Sequence, residues 1–278
     1  MAKLNSVTVL APAKLNLALD VVGLLPNGYH NLDMTMQAIT LYERVVLRRS
    51  QNLSLTLPGS PVAANDSNTA IKAALAFFHY TGLLAGVEIT IYKNVPVRAG
   101  MAGGSADAAG VLVGLNVLYG AKLSMSELCA LGAKIGADVP YCIMRGTALA
   151  EGIGEILTPL PPMPACFVLV AKPGISVSTK FVYENLHAND LKPEQHPDVD
   201  RMIEAMKEKN LDLLCERMGN VLETVTIPAY PVIQEIKEHM MACGAAGAMM
   251  SGSGAGKSGY ERSEGKWTCK TAVSDNTL

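Results

Sequence analysis

Pro96-Val97-Arg98-Ala99-Gly100-Met101-Ala102-Gly103-Gly104-Ser105-Ala106-Asp107-Ala108-Ala109 is the stretch on which the reading of this chain turns. It lies between a run of strand-forming residues over 87–92 and an apolar helical pattern over 106–119. Glycines at such a junction let the backbone approach an oxyanion, and the free N–H groups of the helix start point at it. The helix dipole favours the same negative charge. Ser105 adds a hydroxyl for a phosphate or for Mg²⁺, and Asp107 reads as an acidic charge near the helix start. No GK[ST] closes the run, so it is not a Walker A loop, and it is not the GxGxxG dinucleotide fingerprint. A tight loop of small residues for close helix packing is the competing reading. The length of the glycine and small-residue run favours phosphate.

Working outward, strand signals fall at 6–10, 15–22, 34–48 and 53–57, with turns at Pro26-Asn27-Gly28 and Pro58-Gly59. Asn68 caps a helical pattern through Ala70, Ala73, Ala74, Phe77 and Phe78, and Ser124 with Glu127 is spaced as a capping box for a helix over 125–135. A hairpin follows at 147–160, turning around Gly152 and Gly154. Prolines at 159, 161, 162 and 164 then mark a boundary. Beyond them come a strand at 166–171, helices at 201–209 and 231–241, and a short apolar strand at 247–250 entering Ser251-Gly252-Ser253-Gly254. The expected class is α+β, divided into 1–160, 161–254 and a polar tail at 255–278.

Composition narrows the function. The 278 residues are 49% hydrophobic, ample for a core, and carry a formal net charge of −2. That balance gives no nucleic-acid footprint and no polybasic membrane patch, so an anionic substrate must be met by local donors. Six cysteines form no CxxC pair and no two histidines stand at ligand spacing, so a structural metal is not expected and the thiols read as reduced. The N-terminus lacks the apolar core of a signal peptide, and the apolar stretch at 108–121 is too short to span a bilayer. A cytoplasmic protein, monomeric or weakly dimeric, is the expectation.

The residues at 96–109 resemble the second motif of the GHMP kinases (galactose, homoserine, mevalonate and phosphomevalonate kinases). Pro12-Ala13-Lys14-Leu15-Asn16-Leu17 resembles the first motif, and Met250-Ser251-Gly252-Ser253-Gly254 part of the third. Gly28-Tyr29-His30, Gly136-Ala137-Asp138-Val139-Pro140 and Ala150-Glu151-Gly152-Ile153-Gly154-Glu155 are similar to the branch that acts on 4-diphosphocytidyl-2-C-methyl-D-erythritol. The likeness runs from about residue 7 to 254 with the motifs in order. It implies an N-terminal unit like ribosomal-protein S5 domain 2 and a ferredoxin-like C-terminal unit. It also implies ATP-dependent phosphorylation of that alcohol's 2-hydroxyl on the route to isoprenoids.

Roles follow from the resemblance residue by residue. Asp138 and Lys14 match the catalytic pair, Asp138 also touching the substrate; left to the sequence alone, they read as a turn aspartate and an exposed strand lysine. Asn16, Tyr29, His30, Thr179 and Tyr183 match substrate contacts, the aromatic rings suited to stacking on cytosine. Asn68, Lys93, Pro96, Gly100, Ala102, Gly103, Gly104, Ser105 and Ala106 match the ATP side, with Ser105 also the candidate Mg²⁺ ligand.

The chain departs from the pattern after Gly254. Where the third motif continues with Pro-Thr and an apolar strand, this sequence turns polar, and the ferredoxin-like half is expected to lack its last helix and strand. A lost reading frame near residue 255 would explain it; sequencing the 3′ end of the coding DNA tests that, and a clean single frame in related strains would refute it. Gly256-Lys257-Ser258 mimics the end of a Walker A loop, but Ser251 stands where its first glycine belongs. The rival readings are a GHMP kinase for homoserine- or mevalonate-type alcohols, and a nucleotide-binding protein without catalysis.

Overall fold

The computed structural model describes residues 4–26, 28–97, 99–254 and 268–273. In chain order the elements are β1 (Ser6–Leu24), β2 (His30–Ser50), β3 (Ser54–Thr56), α1 (Thr69–Thr81), β4 (Gly86–Tyr92), α2 (Gly103–Tyr119), α3 (Met125–Ala133) and α4 (Val139–Met144). There follow β5 (Thr147–Gly152), β6 (Ile156–Pro159), β7 (Phe167–Lys172), α5 (Thr179–Glu184), α6 (Val199–Lys207) and α7 (Leu211–Arg217). The last are β8 (Gly219–Asn220), α8 (Glu223–Ala229), α9 (Val232–Ala242) and β9 (Thr268–Val273). The chain is α+β, as expected. The strands read at 6–10 and 15–22 are one: β1 runs straight through Pro12. A proline costs a ladder bond only where its N–H would have faced a neighbour.

The chain divides into two compact units, and β1 and β2 each give residues to both. The first holds Met1–Ala13, Leu41–Pro96 and Ala102–Arg145. In it the far half of β2 pairs antiparallel with β4, from Arg44 opposite Tyr92 to Ser50 opposite Gly86, and β3 lies parallel to β4. Val45, Leu47, Val87, Ile89 and Ile91 of these strands are buried, as are Ala70, Ala74 and Phe77 of α1 and Leu112, Leu115 and Leu118 of α2. α2 comes very close to the sheet. A Cβ on Gly110 would sit 2.8 Å from a methyl of Val45, so only glycine allows this approach. The predicted caps are present: Asn68 accepts the Ala70 N–H, and Ser124 and Glu127 form the capping box.

The second unit holds Lys14–Thr40, Val97–Met101 and Gly146–Leu278. The near half of β2 pairs antiparallel with β5, Leu32 opposite Gly152 through Gln37 opposite Thr147, and β6 completes the predicted hairpin. β1 pairs in parallel with the short β8 at Ala18 and Leu19. Met163, Met202, Ala205, Met206 and Leu214 pack on Leu17 and Ala18 of β1. The two helices of this cluster each start on a side-chain cap, Asp198 for α6 and Asn210 for α7.

Two expectations are corrected. Residues 247–250 form no strand; they are held instead by side chains described below. The polar tail does supply a strand: β9 pairs antiparallel with β7 from Phe167 opposite Val273 to Lys172 opposite Thr268. An edge strand pairs through its backbone and needs no apolar alternation to do so. Whether a helix precedes it concerns residues outside the described ones, as does the Gly256-Lys257-Ser258 triplet. Apolar surface is open at this edge, with Phe167 83% and Leu169 51% exposed.

Candidate active site

In the first unit the glycine run ends at the start of α2. The position before the helix is Ala102, held at φ 56° and ψ 29°, and no side chain caps it. A non-glycine residue in the left-handed region costs on the order of 1–2 kcal/mol. The backbone therefore accepts strain there, and the first N–H groups of α2, at Gly103, Gly104 and Ser105, are left without a side-chain cap. Ser105 stands beside the Gly136-Ala137-Asp138 turn: a Cβ on Gly136 would come 3.9 Å from its Oγ. Asp138 opens α4 with Pro140 in the first turn, is half-buried, and its side chain makes no cap hydrogen bond. The turn-aspartate reading had the place right. Capping does not consume the carboxylate.

Asn68 and Lys93, expected on the ATP side, are strongly engaged within the protein. Asn68 accepts from Ala70 N and donates Nδ2 to the Ala63 carbonyl at 2.9 Å. The Lys93 ammonium lies 2.6 Å from Glu43 Oε1 and 2.7 Å from Asp107 Oδ2, with side-chain exposures of 8%, 0% and 5%. Asp107 sits one turn into α2, deeper than a helix-start charge, and burial pushes its carboxyl up to about 7 against the pull of Lys93, with Glu43 adding to the rise.

In the second unit three motifs meet. Lys14 N donates to the Met101 carbonyl at 3.2 Å, joining the first motif to the second. Asn16 N donates to Ser251 Oγ at 3.2 Å, joining the first to the third. Gly100, at φ 68°, lies against the third, where an added Cβ would fall 2.5 Å from the Ser251 carbonyl oxygen. Lys14 is 5% exposed, not the open strand lysine that its sequence alone suggests, and its Nζ donates to Asn16 Oδ1 at 2.6 Å. Asn16 also directs Nδ2 at Met34 Sδ, 3.4 Å away.

Beside these, His30 at the start of β2 and Tyr183 of α5 form a tilted ring pair, centroids 4.9 Å apart. Tyr29 is 62% exposed. Thr179 Oγ1 lies 2.8 Å from Ser253 Oγ, so α5 is tied to the third motif as well. Asn220, which the sequence reading did not single out, donates Nδ2 to the carbonyls of both Met250 and Gly252 at 2.8 Å, and Glu223 accepts the Met250 N–H at 2.7 Å. These side chains replace the strand expected over 247–250. Proximity to a glycine-serine turn was the one available clue, and it does not point to a residue so far along the chain.

Known proteins share the sequence pattern and the fold of this chain. The family model described as GHMP kinases N terminal domain matches residues 68–146, and GHMP kinases C terminal matches 202–260. The 4-diphosphocytidyl-2-C-methyl-D-erythritol kinase of Lachnospira eligens is 51% identical over 253 residues, covering 90% of this chain and 87% of the relative. That of Clostridium perfringens strain 13 is 46% identical over 246 residues, covering 88% and 85%. The chain belongs to the 4-diphosphocytidyl-2-C-methyl-D-erythritol kinase family. A crystal structure of a 4-(cytidine 5'-diphospho)-2C-methyl-D-erythritol kinase superposes with TM-score 0.77 at 32% identity, over 96% of this chain and 89% of that one. A homoserine kinase from Cytophaga hutchinsonii, 18% identical with TM-score 0.73, shares the fold.

The fit of Mg²⁺ can be judged on the donor set. Among the described residues no group of three His, Cys, Asp or Glu could hold a metal ion. A Mg²⁺ that arrives on a nucleotide keeps water and phosphate ligands and needs only one or two protein oxygens. The half-buried Ser105 hydroxyl at the helix start suits that demand.

Proposed function

We infer that this chain is an ATP-dependent kinase that phosphorylates the 2-hydroxyl of 4-diphosphocytidyl-2-C-methyl-D-erythritol. One observation carries the reading to named residues: Lys14, Asn16, Gly100 and Ser251, from three separate motifs, meet in one unit. Phosphoryl transfer to an alcohol requires positioning, charge neutralisation and a place for the hydroxyl proton. Gly100, Ala102, Gly103, Gly104, Ser105 and Ala106, with Pro96 leading in, form the phosphate loop. Lys14 supplies positive charge for the transferring group, and Asp138 orients the hydroxyl and takes its proton. His30, Tyr29 and Tyr183 hold the cytosine, with Asn16 and Thr179 on the rest of the alcohol. Mg²⁺ bound with ATP would take the Ser105 hydroxyl and neutralise phosphate charge. The same reading divides the chain at about residue 160 and places the protein in the cytoplasm. No helix among the described residues is long and apolar enough to cross a membrane.

The test is ADP release by the purified chain, coupled to a second enzyme, with 4-diphosphocytidyl-methylerythritol, homoserine and mevalonate compared as acceptors. Turnover is expected with the first alone. Turnover with another alcohol replaces the substrate, and ATP binding without turnover on any of them removes the kinase reading. Asp138→Asn is expected to lower kcat roughly 10²–10⁴-fold; full activity would take Asp138 out of its role.

A further inference from the structure

The ATP reading above leaves unexplained why a lysine at the loop's entrance is buried between two acids. Glu43, fully buried on β2, accepts the Asn94 N–H at 2.7 Å and holds the Lys93 ammonium at 2.6 Å. Lys93 in turn donates to Asp107 Oδ2 at 2.7 Å and reaches the Gly103 carbonyl at 3.4 Å. Gly103 rests on the same acid, for a Cβ there would lie 3.3 Å from Glu43 Oε1. Lys93 and Asp107 bracket the glycine run, the first where the chain leaves β4 and the second on α2. One ammonium therefore pins the two ends of the loop, and Glu43 fixes the ammonium.

We propose that Glu43 is a positioning residue for the nucleotide: through Lys93 it fixes the first residues of α2, and with them the N–H groups that receive the phosphates. The proposal rests on the ATP reading. Donors fixed before the ligand arrives bind it without the cost of ordering the loop. Two carboxylates against one ammonium leave an excess negative charge behind a site for a polyanion. A proton removes it. Asp107 Oδ1 and Glu43 Oε1 are both buried without a hydrogen-bond partner, but Oε1 faces the ammonium at 2.6 Å, so Oδ1 is the place for that proton. The charged groups that face Asp107 are Lys93 from the β4 exit and Glu43 from β2, and together with burial they raise its carboxyl to about 7. Loss of the proton above that pH returns the excess charge and weakens ATP binding.

The experiment is steady-state kinetics of the full chain with Glu43→Gln, which keeps the shape and the acceptor for Asn94 but removes the charge. The expected result is a KM for ATP raised about tenfold, with kcat and the KM for the alcohol within about twofold. Glu43→Asp should recover part of the loss. Asp107→Asn should abolish the rise in ATP KM that the unaltered chain shows as pH climbs through about 7. A KM for ATP unchanged in Glu43→Gln overturns the proposal. So does a fall of kcat and a rise of both KM values in step with a lowered melting temperature, which would mark Glu43 as merely structural. If Glu43→Gln does not fold, the isosteric Asp107→Asn decides alone, and a pH step that survives it is refutation. Direct titration with an unreactive ATP analogue separates the two readings. No binding by the unaltered chain removes the ATP reading itself, whereas binding equal in all variants removes only the positioning role.

Discussion

Lys14 and Lys93 are both buried, and they are compensated in different ways. Lys93, in the first unit, has two carboxylates within ion-pair distance. Lys14, in the second, has within that unit the neutral amide oxygen of Asn16 and no carboxylate partner among the described residues. A buried cation without an anion is costly. The charge of Lys93 is used up inside the protein. On the kinase reading proposed above, a phosphoryl oxygen would complete that of Lys14. The same contrast holds for acids: Asp107 is engaged by a lysine, whereas Asp138 starts a helix without capping it.

The largest expected effect breaks the compensated side. Lys93→Met would leave Glu43 and Asp107 facing one another in a dry interior, and removal of one partner from a buried ion pair costs about 3–5 kcal/mol. Chemical denaturation should show a loss of that order. A variant as stable as the parent would mean that the two acids take up protons at little cost, and the contrast between the lysines would fall.

The uncompensated side predicts the reverse division between activity and stability. Lys14→Met should lower kcat roughly 10²–10³-fold, the usual cost of one donor aimed at transition-state charge. Its melting temperature should stay level or rise, because an unpaired buried charge is replaced by an apolar chain of similar length. Kinetics and thermal melts on the same preparation check both halves. A lowered melting temperature with kcat intact would make Lys14 a structural residue.

This contrast also marks what was legible in the sequence. The glycine run, the Asn68 cap and the Ser124–Glu127 capping box are local patterns, and each took the expected form. Glu43 is one acid in a long strand, and nothing near it in sequence announces that β2 and β4 pair in a register that brings it to Lys93. Asn220 lies in a strand of two residues, too short for any periodicity, and its partners at 250 and 252 come from tertiary folding. α8 carries Pro228 in its interior, against local preference. β9 was missed because an edge strand is specified by its neighbour's free backbone groups and not by its own apolar pattern. Local chemistry reads directly. Register and long-range partners do not.

A smaller effect is expected at the ring pair, which sharpens the contrast by touching neither lysine. If His30 and Tyr183 hold a base, Tyr183→Ala should raise the KM for the cytidine-bearing alcohol by about 1–3 kcal/mol in free-energy terms, the usual cost of a lost base–aromatic stack. KM for ATP should not move. An equal rise in both constants would place the rings in general folding of α5, whose cap Ser178 and helix neighbours would then be disturbed as well.

The smallest effect, read per pH unit, is the slope of stability against pH, and its sign is fixed by Asp107. The carboxyl is raised from an ordinary 3.8 to about 7 in the folded chain. Between those values the folded chain keeps a proton that the unfolded chain has released, so stability falls as pH rises across that window. The slope is at most about 1.4 kcal/mol per pH unit. Asparagine holds the same shape and cannot titrate, so in Asp107→Asn this share of the slope disappears. The difference in unfolding free energy, variant minus parent, should therefore climb from about pH 4 to about pH 7 and then level off. The pull of Lys93 is already contained in the value of about 7, which would lie higher without it. Urea unfolding at four or five pH values measures the curve. A flat difference would mean that Asp107 is ionised throughout, that Lys93 is matched by two full negative charges, and that the compensated lysine is over-compensated even at neutral pH.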